Sequence, residues 1–264
     1  MGVLENTVVV VTGAAGGLGR AMSGGLIAAG ARVVGVDLPG GSALDAVARE
    51  LGSNFVPFAA NLRDEHDCAA VVEHAVRKAG GLHVLVNNAG VGMQNINPRF
   101  ATNPTRFWEL TPAQWREVIE TNSTSQFLMA RACTPHLVKQ GWGRLINITT
   151  SYATMQLGGF SPYGPSKAAA EANTVIMSRD LAGTGVTANV LIPGGPANTP
   201  MVSDDLMWPD RSKLVQPPQM IAPVVWLASK ESDGVTGMRY IAQMWNGSLS
   251  NAAAASIAGA PAGF

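Results

Sequence analysis

Tyr163 and Lys167 stand four residues apart in the segment Tyr163-Gly164-Pro165-Ser166-Lys167. On a helix this spacing places a phenol and an ammonium on one face. A free phenol has a pKa of about 10, and a neighbouring positive charge favours its phenolate form. The pair is therefore a candidate proton donor and acceptor. A tyrosine packed beside the aliphatic stem of a lysine is the structural alternative.

A glycine-rich segment, Gly13-Ala14-Ala15-Gly16-Gly17-Leu18-Gly19, follows a β-branched run that is typical of a strand. A helical pattern begins at about Gly17. Glycines at such a turn let the backbone approach a pyrophosphate, which the N-terminus of the following helix attracts. The spacing of Gly13, Gly17 and Gly19 is G-x-x-x-G-x-G, although Gly16 also allows G-x-x-G-x-x-G. The segment predicts a dinucleotide site, and a purely structural turn is the alternative.

Asp37 ends the second predicted strand, which begins at Arg32. It follows the glycine turn at roughly the 20-residue offset where an acidic side chain accepts the ribose hydroxyls of NAD. Neither the glycine turn nor residues 38–40 contain Arg or Lys, so a 2′-phosphate would meet an unscreened negative charge. We therefore expect NAD(H) rather than NADP(H), with an Asp that merely ends a strand as the alternative.

Strands and helices alternate along the whole chain, which predicts a parallel sheet covered by helices on both faces. Apolar residues make up 47% of the sequence and charged residues 14%, enough for a large core. We find no linker or repeat, and expect one doubly wound α/β domain of the Rossmann type over residues 1–264. The Ala/Gly-rich segment 251–264 is expected to be a frayed tail. Seven parallel strands are predicted, near residues 7–12, 32–37, 54–59, 83–87, 144–149, 187–192 and 238–243.

The charge balance argues against several classes of partner. Eighteen basic and eighteen acidic side chains cancel, so neither nucleic acid nor an anionic membrane is expected as a partner. Cys68 and Cys133 are not in disulfide or zinc spacing. The acidic run Asp64-Glu65-His66-Asp67 suits a helix N-terminus, and no metal site is expected. With no signal peptide or spanning segment in the sequence, we expect a cytoplasmic protein that acts on a small molecule.

These motifs occur in the order seen in the short-chain dehydrogenase/reductase family, and the chain resembles that family over nearly its whole length. The shared elements are the glycine turn, Asn87-Asn88-Ala89-Gly90, Asn122, Tyr163-x-x-x-Lys167 and Pro193-Gly194. The resemblance implies a hydride transfer between nicotinamide and a secondary alcohol or ketone. It also implies a homotetramer or homodimer, built on the helices that hold Asn122 and Tyr163, where Ala168 to Ala172 would allow close approach.

The resemblance also assigns roles to four positions. Tyr163 would exchange a proton with the substrate oxygen, while Lys167 would hold the nicotinamide ribose and favour phenolate. Asn122 would help to hold a water that links Lys167 to solvent. The family usually has a serine thirteen residues before the tyrosine, where this chain has Thr150. Thr150 would orient the substrate oxygen, and Ser151, one residue later, is the alternative.

Several positions depart from the family pattern. Asn61 replaces an Asp that commonly contacts the adenine, and Thr199 comes one residue late after Pro193-Gly194. Met244-Trp245-Asn246 stands where the family has Gly-Gly. The implied cofactor contacts are Gly13, Gly17, Leu18, Gly19, Asp37, Asn61, Leu62, Asn88, Ala89, Gly90, Tyr163, Lys167, Pro193, Gly194 and Thr199.

Two long connections, 91–110 and 193–218, follow strands at the edge where ligands bind in such folds. We expect these connections to cover the substrate. Because they carry several apolar residues, the pocket is expected to be apolar or mixed. The alternative for each of these residues is a contact in the core or between subunits. The candidate lid residues in these two connections are Met93, Phe107, Trp108, Met201, Met207 and Trp208. Met155, from the loop after the fifth predicted strand, is a further candidate.

Two other functions remain open. One is a 3-oxoacyl thioester reductase, although Gly141 and Thr184 stand where such reductases carry arginines. The other is a non-catalytic NAD-binding sensor or scaffold. A pure binder would need only the glycine turn and Asp37, so the presence of Tyr163 and Lys167 favours an enzyme.

Overall fold

Eight strands form one sheet in the computed structural model, which describes residues 2–202 and 210–264. Their order in the sheet is β3-β2-β1-β4-β5-β6-β7-β8. The first seven run parallel, and the eighth pairs antiparallel with the seventh. In chain order they are β1 (Val8–Thr12), β2 (Arg32–Asp37), β3 (Phe55–Ala59), β4 (Val84–Asn87), β5 (Gly143–Ile148), β6 (Val186–Ile192), β7 (Met238–Ile241) and β8 (Gly259–Pro261).

Helices connect the strands and cover both faces of the sheet. In the described part of the chain they are α1 (Gly17–Ala28), α2 (Ala43–Leu51), α3 (Glu65–His74), α4 (Pro112–Ile119), α5 (Ser125–Gln140), α6 (Tyr152–Met155), α7 (Tyr163–Asp180), α8 (Ile221–Ala228) and α9 (Asn251–Ala258). A π-helical turn, Ala75–Ala79, continues α3, and a second one, Glu120–Thr124, joins α4 to α5. Short 3-10 turns occur at Gly52–Asn54, Met93–Asn95, Phe107–Glu109, Arg211–Lys213, Pro217–Met220, Lys230–Ser232 and Ala242–Met244.

The run of valines in β1 explains why the sheet is buried on both sides. Val9 and Val11 join one apolar cluster, to which α1, α2, α8 and α9 contribute. Val8 and Val10 point the other way and join a second cluster, with side chains of α3, α5 and α7. Side chains alternate across a strand, so a continuous apolar run fits a strand with helices on both faces.

The predicted doubly wound α/β fold with a mostly parallel central sheet is confirmed. The strand count and the C-terminal segment were predicted incorrectly. Residues 251–264 are not a frayed tail: Ser250 caps α9 by accepting a hydrogen bond from Ala253 N, and β8 adds an eighth strand. Three alanines of α9 are buried, so small side chains hold this segment without a strong amphipathic signal.

The chain reverses its direction of winding between β1 and β4, which are neighbours in the sheet. In such folds a crevice opens beyond the carboxyl ends of the strands at this point. The glycine turn follows β1, and Asn88-Ala89-Gly90 follows β4, so both lie at the crevice. In the described residues, no helix is long and apolar enough to cross a membrane.

Candidate active site

Hydrogen bonds that involve the side chains of Thr12 and Asn88 fix the two walls of the crevice between β1 and β4. Thr12 Oγ1 accepts the backbone N–H groups of Asn88 and Ala89, each at 2.9 Å. Asn88 Nδ2 donates to the carbonyl oxygens of Thr12 and Gly13, at 2.9 and 3.1 Å. In the sequence, the signal for this role of Thr12 is a polar residue that ends a valine run directly before the glycine turn.

The glycine turn is too tight for side chains at three positions. Gly13 has a φ of 64°, in the left-handed region that favours glycine. A Cβ at Gly19 would lie 2.1 Å from the carbonyl oxygen of Gly13. A Cβ at Gly17 would lie 2.7 Å from Thr199 Cγ2. Thr199 therefore packs against the glycine turn.

The N-terminus of α1 is open toward the same crevice. Among the described residues no side chain caps it, and its first turn contains no acidic residue. The first N–H groups of a helix have no partner within the helix and carry a partial positive charge. Gly17 and Leu18 of this turn line the cavity described next. The start of α1 thus fits the phosphates of a dinucleotide.

One cavity of about 890 Å³ connects the glycine turn to Tyr163. Of the predicted cofactor contacts, Gly19 is not on its wall, because it lies beneath the turn against Gly13. The others all line it: Gly13, Gly17, Leu18, Asp37, Asn61, Leu62, Asn88, Ala89, Gly90, Tyr163, Lys167, Pro193, Gly194 and Thr199. The glycine turn, the open helix start and this cavity together fit a bound dinucleotide.

Asp37 lines the cavity near the glycine turn. Its Oδ2 accepts the N–H of Ala15 at 2.8 Å, and its Oδ1 accepts the N–H of Leu38 at 2.9 Å. Each carboxylate oxygen has a further lone pair. Arg63 lines the same cavity, and its Nε lies 3.3 Å from Asn61 Oδ1, to which it donates. Arg63 is not adjacent to Asp37 or to the glycine turn in the sequence, and only the fold brings it to this cavity.

Tyr163 is the first residue of α7, and Lys167 follows one turn later. Burial raises the pKa of Tyr163 to about 12, and a hydrogen bond from the Thr150 hydroxyl acts against this shift. Lys167 is buried, its Nζ donates to the carbonyl oxygen of Ile148 at 3.1 Å, and burial lowers its pKa to about 8. Burial thus favours the neutral forms of both groups.

Of the two hydroxyl residues, Thr150 and not Ser151 acts on the pKa of Tyr163, which it lowers against the effect of burial. Ser151 caps the short helix α6: its Oγ accepts the N–H of Thr154 at 3.1 Å and lies 2.8 Å from Thr154 Oγ1. The Ser151 hydroxyl is thus engaged in the cap, and Thr150 stays the predicted orienting residue.

Asn122 lies in the π-helical turn between α4 and α5 and is fully buried. Its Oδ1 accepts the N–H of Val91 at 2.7 Å, and its Nδ2 donates to Val91 O and Ser166 Oγ at 2.9 and 3.0 Å. A Cβ at Gly90 would lie 3.0 Å from Asn122 Oδ1 and 3.4 Å from Lys167 Nζ. Asn122 therefore holds the start of the 91–110 loop beside Lys167. Single π-helical turns of this kind are frequent at functional sites.

The predicted lid residues separate into groups. Met93 and Met201 line the cavity. Met155 is buried but does not reach the cavity wall. Phe107 and Trp108 are 70% and 69% exposed and pack edge to face on each other, away from the wall, so the prediction for both is wrong. Met207 and Trp208 lie outside the described residues.

Aromatic residues that the sequence analysis missed form the wall beside Tyr163. Phe160 lies edge to face with Tyr163 and with Phe100, at centroid distances of 6.3 and 5.7 Å. Leu157 and Pro104 line the same cavity. Phe100 and Phe160 are far apart in sequence and carry no motif, so only the fold brings them to the site.

Arg211 holds the loop that carries Thr199 and Met201. Its Nε donates to Asn198 Oδ1 at 2.8 Å, its Nη2 to Thr199 O at 2.9 Å and its Nη1 to Val202 O at 3.2 Å. This guanidinium therefore positions backbone beside the cavity.

Comparisons with known proteins agree with this geometry. The family model described as short chain dehydrogenase matches residues 7–209. The 3-oxoacyl-[acyl-carrier-protein] reductase FabG of Vibrio harveyi is 32% identical over 241 residues, which are 89% of this chain and 94% of the relative. The 5-keto-D-gluconate 5-reductase of Escherichia coli (strain K12) is 30% identical over 240 residues, 87% of this chain and 91% of the relative.

A solved structure is similar as well. It is the crystal structure of 3-ketoacyl-(acyl-carrier-protein) reductase from Brucella melitensis complexed with NADH, with a TM-score of 0.77 and 25% sequence identity. The match covers 88% of this chain and 95% of that one. With a dinucleotide crevice, a Tyr163-Lys167 pair at its far end and a family model that spans most of the sequence, the chain belongs to the short-chain dehydrogenase/reductase family of oxidoreductases.

Proposed function

We propose that the chain is an NAD(H)-dependent oxidoreductase that transfers a hydride between nicotinamide and a secondary alcohol or ketone. The observation that carries this proposal is that Thr150 and Tyr163 line the same end of the cavity, where the Thr150 side chain offsets part of the rise that burial causes in the pKa of the Tyr163 phenol. A hydroxyl and a phenol that meet at one point can both contact a single carbonyl oxygen. The start of α1 and the glycine turn would hold the phosphates at the other end.

In the proposed reaction, nicotinamide supplies or accepts the hydride at the carbon that bears the oxygen. In the direction of reduction, the Tyr163 phenol donates its proton to the substrate oxygen, while the Thr150 hydroxyl holds that oxygen by a second hydrogen bond. In the direction of oxidation, Tyr163 takes the proton from the alcohol. Lys167 favours the phenolate form that this step requires, because its ammonium is positive.

The preference for NAD(H) rests on Asp37. Its charge lies on the cavity wall next to the glycine turn, where the adenosine ribose of a dinucleotide would lie. The two N–H groups that it accepts fix the carboxylate without neutralising it. A 2′-phosphate beside it would be repelled. Arg63, on the same cavity wall, favours a 2′-phosphate, and we propose that Asp37 dominates because its carboxylate is held in place.

The wall beside Tyr163 supports a substrate with apolar groups on the carbonyl. Met93, Phe100, Leu157, Phe160 and Met201 are apolar, and Lys167 is the only cation among the described lining residues at this end of the cavity. Since Lys167 is buried beside Tyr163, no described cation at this end is placed to bind a substrate carboxylate or phosphate. We therefore propose an uncharged ketone or secondary alcohol of small to medium size.

A second candidate is the reduction of a 3-oxoacyl thioester. The names of the relatives from Vibrio harveyi and Brucella melitensis favour it, and an acyl chain also suits apolar walls. Turnover of simple alkyl and aryl ketones against an acetoacetyl thioester separates the two candidates. We expect a larger kcat/KM for the ketones; a clear preference for the thioester would favour the second candidate.

We also propose that copies of the chain associate through α5 and α7 into a homodimer or homotetramer, and that the protein acts in the cytoplasm. Phe127 on α5 and Ile176 on α7 are 45% and 54% exposed, so each of these helices presents a large apolar side chain that association would cover. Light scattering of the parent chain and of Phe127→Glu/Ile176→Glu tests this: we expect the double variant to dissociate. A parent chain that is already monomeric would exclude the association.

A further inference from the structure

A buried ion pair lies directly behind Thr150. Glu171 of α7 is completely buried, Arg239 of β7 is 5% exposed, and their side chains form a salt bridge. Two buried charges lose their hydration, and such a pair is often no more stabilising than apolar residues of the same size. The pair is not part of the cavity wall and has no role in the proposed reaction. Its contacts indicate what it does.

The ion pair holds the two residues that follow β5. Arg239 Nη2 donates to the backbone carbonyl oxygen of Thr150. Glu171 Oε2 accepts a hydrogen bond from the Thr149 hydroxyl at 2.9 Å. Thr149 N still donates to the carbonyl oxygen of Leu191 in β6, at 3.4 Å, but Thr150 lies one residue beyond this last bond, so the ladder does not fix Thr150. The ion pair supplies that constraint.

The same pair connects this loop to the helix of Tyr163. Glu171 follows Tyr163 and Lys167 at spacings of eight and four residues on α7, so all three lie toward one side of the helix. Glu171 is about 12 Å along the helix axis from Tyr163. The Thr150 backbone is therefore tied through Arg239 and Glu171 to the helix that carries Tyr163.

Tyr152 contacts both residues of the ion pair. Its hydroxyl lies 2.8 Å from Glu171 Oε1 and 2.6 Å from the carbonyl oxygen of Gly263, so one hydrogen is shared by two acceptors. The guanidinium carbon of Arg239 lies 4.1 Å from the centroid of the Tyr152 ring, a cation-π geometry. Tyr152 thus contacts both members of the ion pair, with its hydroxyl at the Glu171 carboxylate and its ring facing the Arg239 guanidinium.

We propose that Glu171 and Arg239 are positioning residues, which hold the Thr150 backbone so that its hydroxyl meets Tyr163 and the substrate oxygen. The inference rests on the proposed function, because the position of Thr150 matters only if Thr150 and Tyr163 act on one oxygen. Neither residue touches the substrate or the cofactor, and both act through Thr150.

The chain offers a matched control in the same sheet. Arg144, near the start of β5, is 1% exposed and forms a salt bridge with Asp233, away from the cavity. We would compare Arg239→Lys and Glu171→Gln with Arg144→Lys, measuring kcat and KM for a ketone, NADH affinity by fluorescence, and thermal stability. Tyr152→Phe, which keeps the ring, is a milder variant in case the others fold poorly.

We expect Arg239→Lys to lower kcat about tenfold or more, since a misplaced orienting group can cost up to about a hundredfold. Its affinity for NADH should stay within about twofold of that of the parent chain, because its contacts lie away from the dinucleotide cavity. Arg144→Lys should lower thermal stability while leaving kcat within about twofold of the parent value. Equal loss of kcat in both lysine variants would overturn the proposal.

A double-mutant cycle separates positioning from a general structural role. If Arg239 acts through Thr150, then Arg239→Lys should have little further effect on kcat in a Thr150→Ala background. Losses that simply multiply would contradict the proposal. Crystal structures of the parent chain and of Arg239→Lys give a readout without turnover: we expect the Thr150 side chain to move away from the Tyr163 phenol in the variant. An unchanged position of Thr150 would overturn the inference. A parent chain that reduced no ketone would instead count against the proposed function.

Discussion

Thr150 and Tyr163 line the same end of the cavity, and the Thr150 side chain offsets part of the rise that burial causes in the pKa of the Tyr163 phenol, although α6 separates the two residues in the chain. One follows β5 and the other begins α7, so the fold itself brings these two oxygens together. A carbonyl oxygen that contacts both would receive a proton from one and a stabilising hydrogen bond from the other.

Replacement of the two neighbouring hydroxyls separates their roles. Thr150→Val keeps the shape but removes the hydroxyl, and should lower kcat about 100-fold, as loss of one oxyanion donor does elsewhere. Thr150→Ser should restore most of the activity. Ser151→Ala should change kcat little and lower the free energy of unfolding by about 1 kcal/mol, because only the cap of α6 is lost. Steady-state kinetics and denaturant unfolding measure both; a larger loss of kcat in Ser151→Ala would reverse the assignment.

The two directions of the reaction should respond differently to pH. The pKa of Tyr163 is raised by burial to about 12, so the phenol is protonated throughout the neutral range. Reduction uses the protonated form, and its kcat/KM should be nearly independent of pH from about 6 to 8, well below that pKa. Oxidation needs the phenolate, so its kcat/KM should rise with pH, by up to about tenfold per unit below pH 8; above that, Lys167, whose pKa is lowered by burial to about 8, loses the charge that favours the phenolate. Initial rates in both directions test this, and an oxidation rate that falls with rising pH would contradict Tyr163 as the base.

Asp37 and Arg63 should have opposite effects on the choice of cofactor. Asp37→Ser removes the negative charge, and should weaken NADH binding while it strengthens NADPH binding, each about tenfold if about 1.4 kcal/mol is at stake. Arg63→Ala should weaken NADPH more than NADH. Fluorescence titration of each variant with both nucleotides gives the ratios. If Asp37→Ser leaves the ratio of the two affinities unchanged, Asp37 does not select the cofactor.

Two glycines of α1 offer a test of the turn. A Cβ at Gly19 would lie 2.1 Å from Gly13 O, whereas a Cβ at Gly24 would meet only Leu51 Cδ2, at 3.5 Å. Gly19→Ala should therefore distort the turn and abolish NADH binding. Gly24→Ala should keep it and add up to about 1 kcal/mol to the free energy of unfolding, through higher helix propensity. Calorimetric titration and thermal unfolding report both values, and unimpaired NADH binding by Gly19→Ala would show that the tight turn is not required.

Local patterns were sufficient for most of the fold. The β-branched runs of β1 and β2, with helical patterns between strands, predicted the doubly wound sheet, and the turn after β1 indicated where a dinucleotide would lie. The alanines of α9 and the three residues of β8 escaped because small side chains give neither helical nor alternating hydrophobic periodicity. The position of β8 can be assigned only once β7 is known to form the edge of the parallel sheet, because β8 pairs with that edge.

The candidate site was less accessible to sequence reasoning. Tyr163 and Lys167 carry a local spacing, and Thr150 could be reached by its register from Tyr163. The contacts of Arg239 with Glu171 and of Phe100 with Phe160 join residues far apart in sequence, and none of the four belongs to a motif. An arginine within a strand or a phenylalanine within a loop has no local feature that marks it as part of a site. Such residues can be found only from the three-dimensional arrangement.

The most direct test of the account is turnover by the parent chain, Tyr163→Phe and Tyr240→Phe, followed by the absorbance of NADH with a panel of uncharged ketones. Tyr240 is a suitable control because it is a buried tyrosine that packs against Trp226, outside the cavity wall. We predict that Tyr163→Phe still binds NADH but loses turnover by about 100-fold or more, as expected when a general acid is removed. Tyr240→Phe should turn over like the parent chain. Ketone reduction that persists unchanged in Tyr163→Phe would contradict the central claim that Tyr163 is the acid/base of this enzyme.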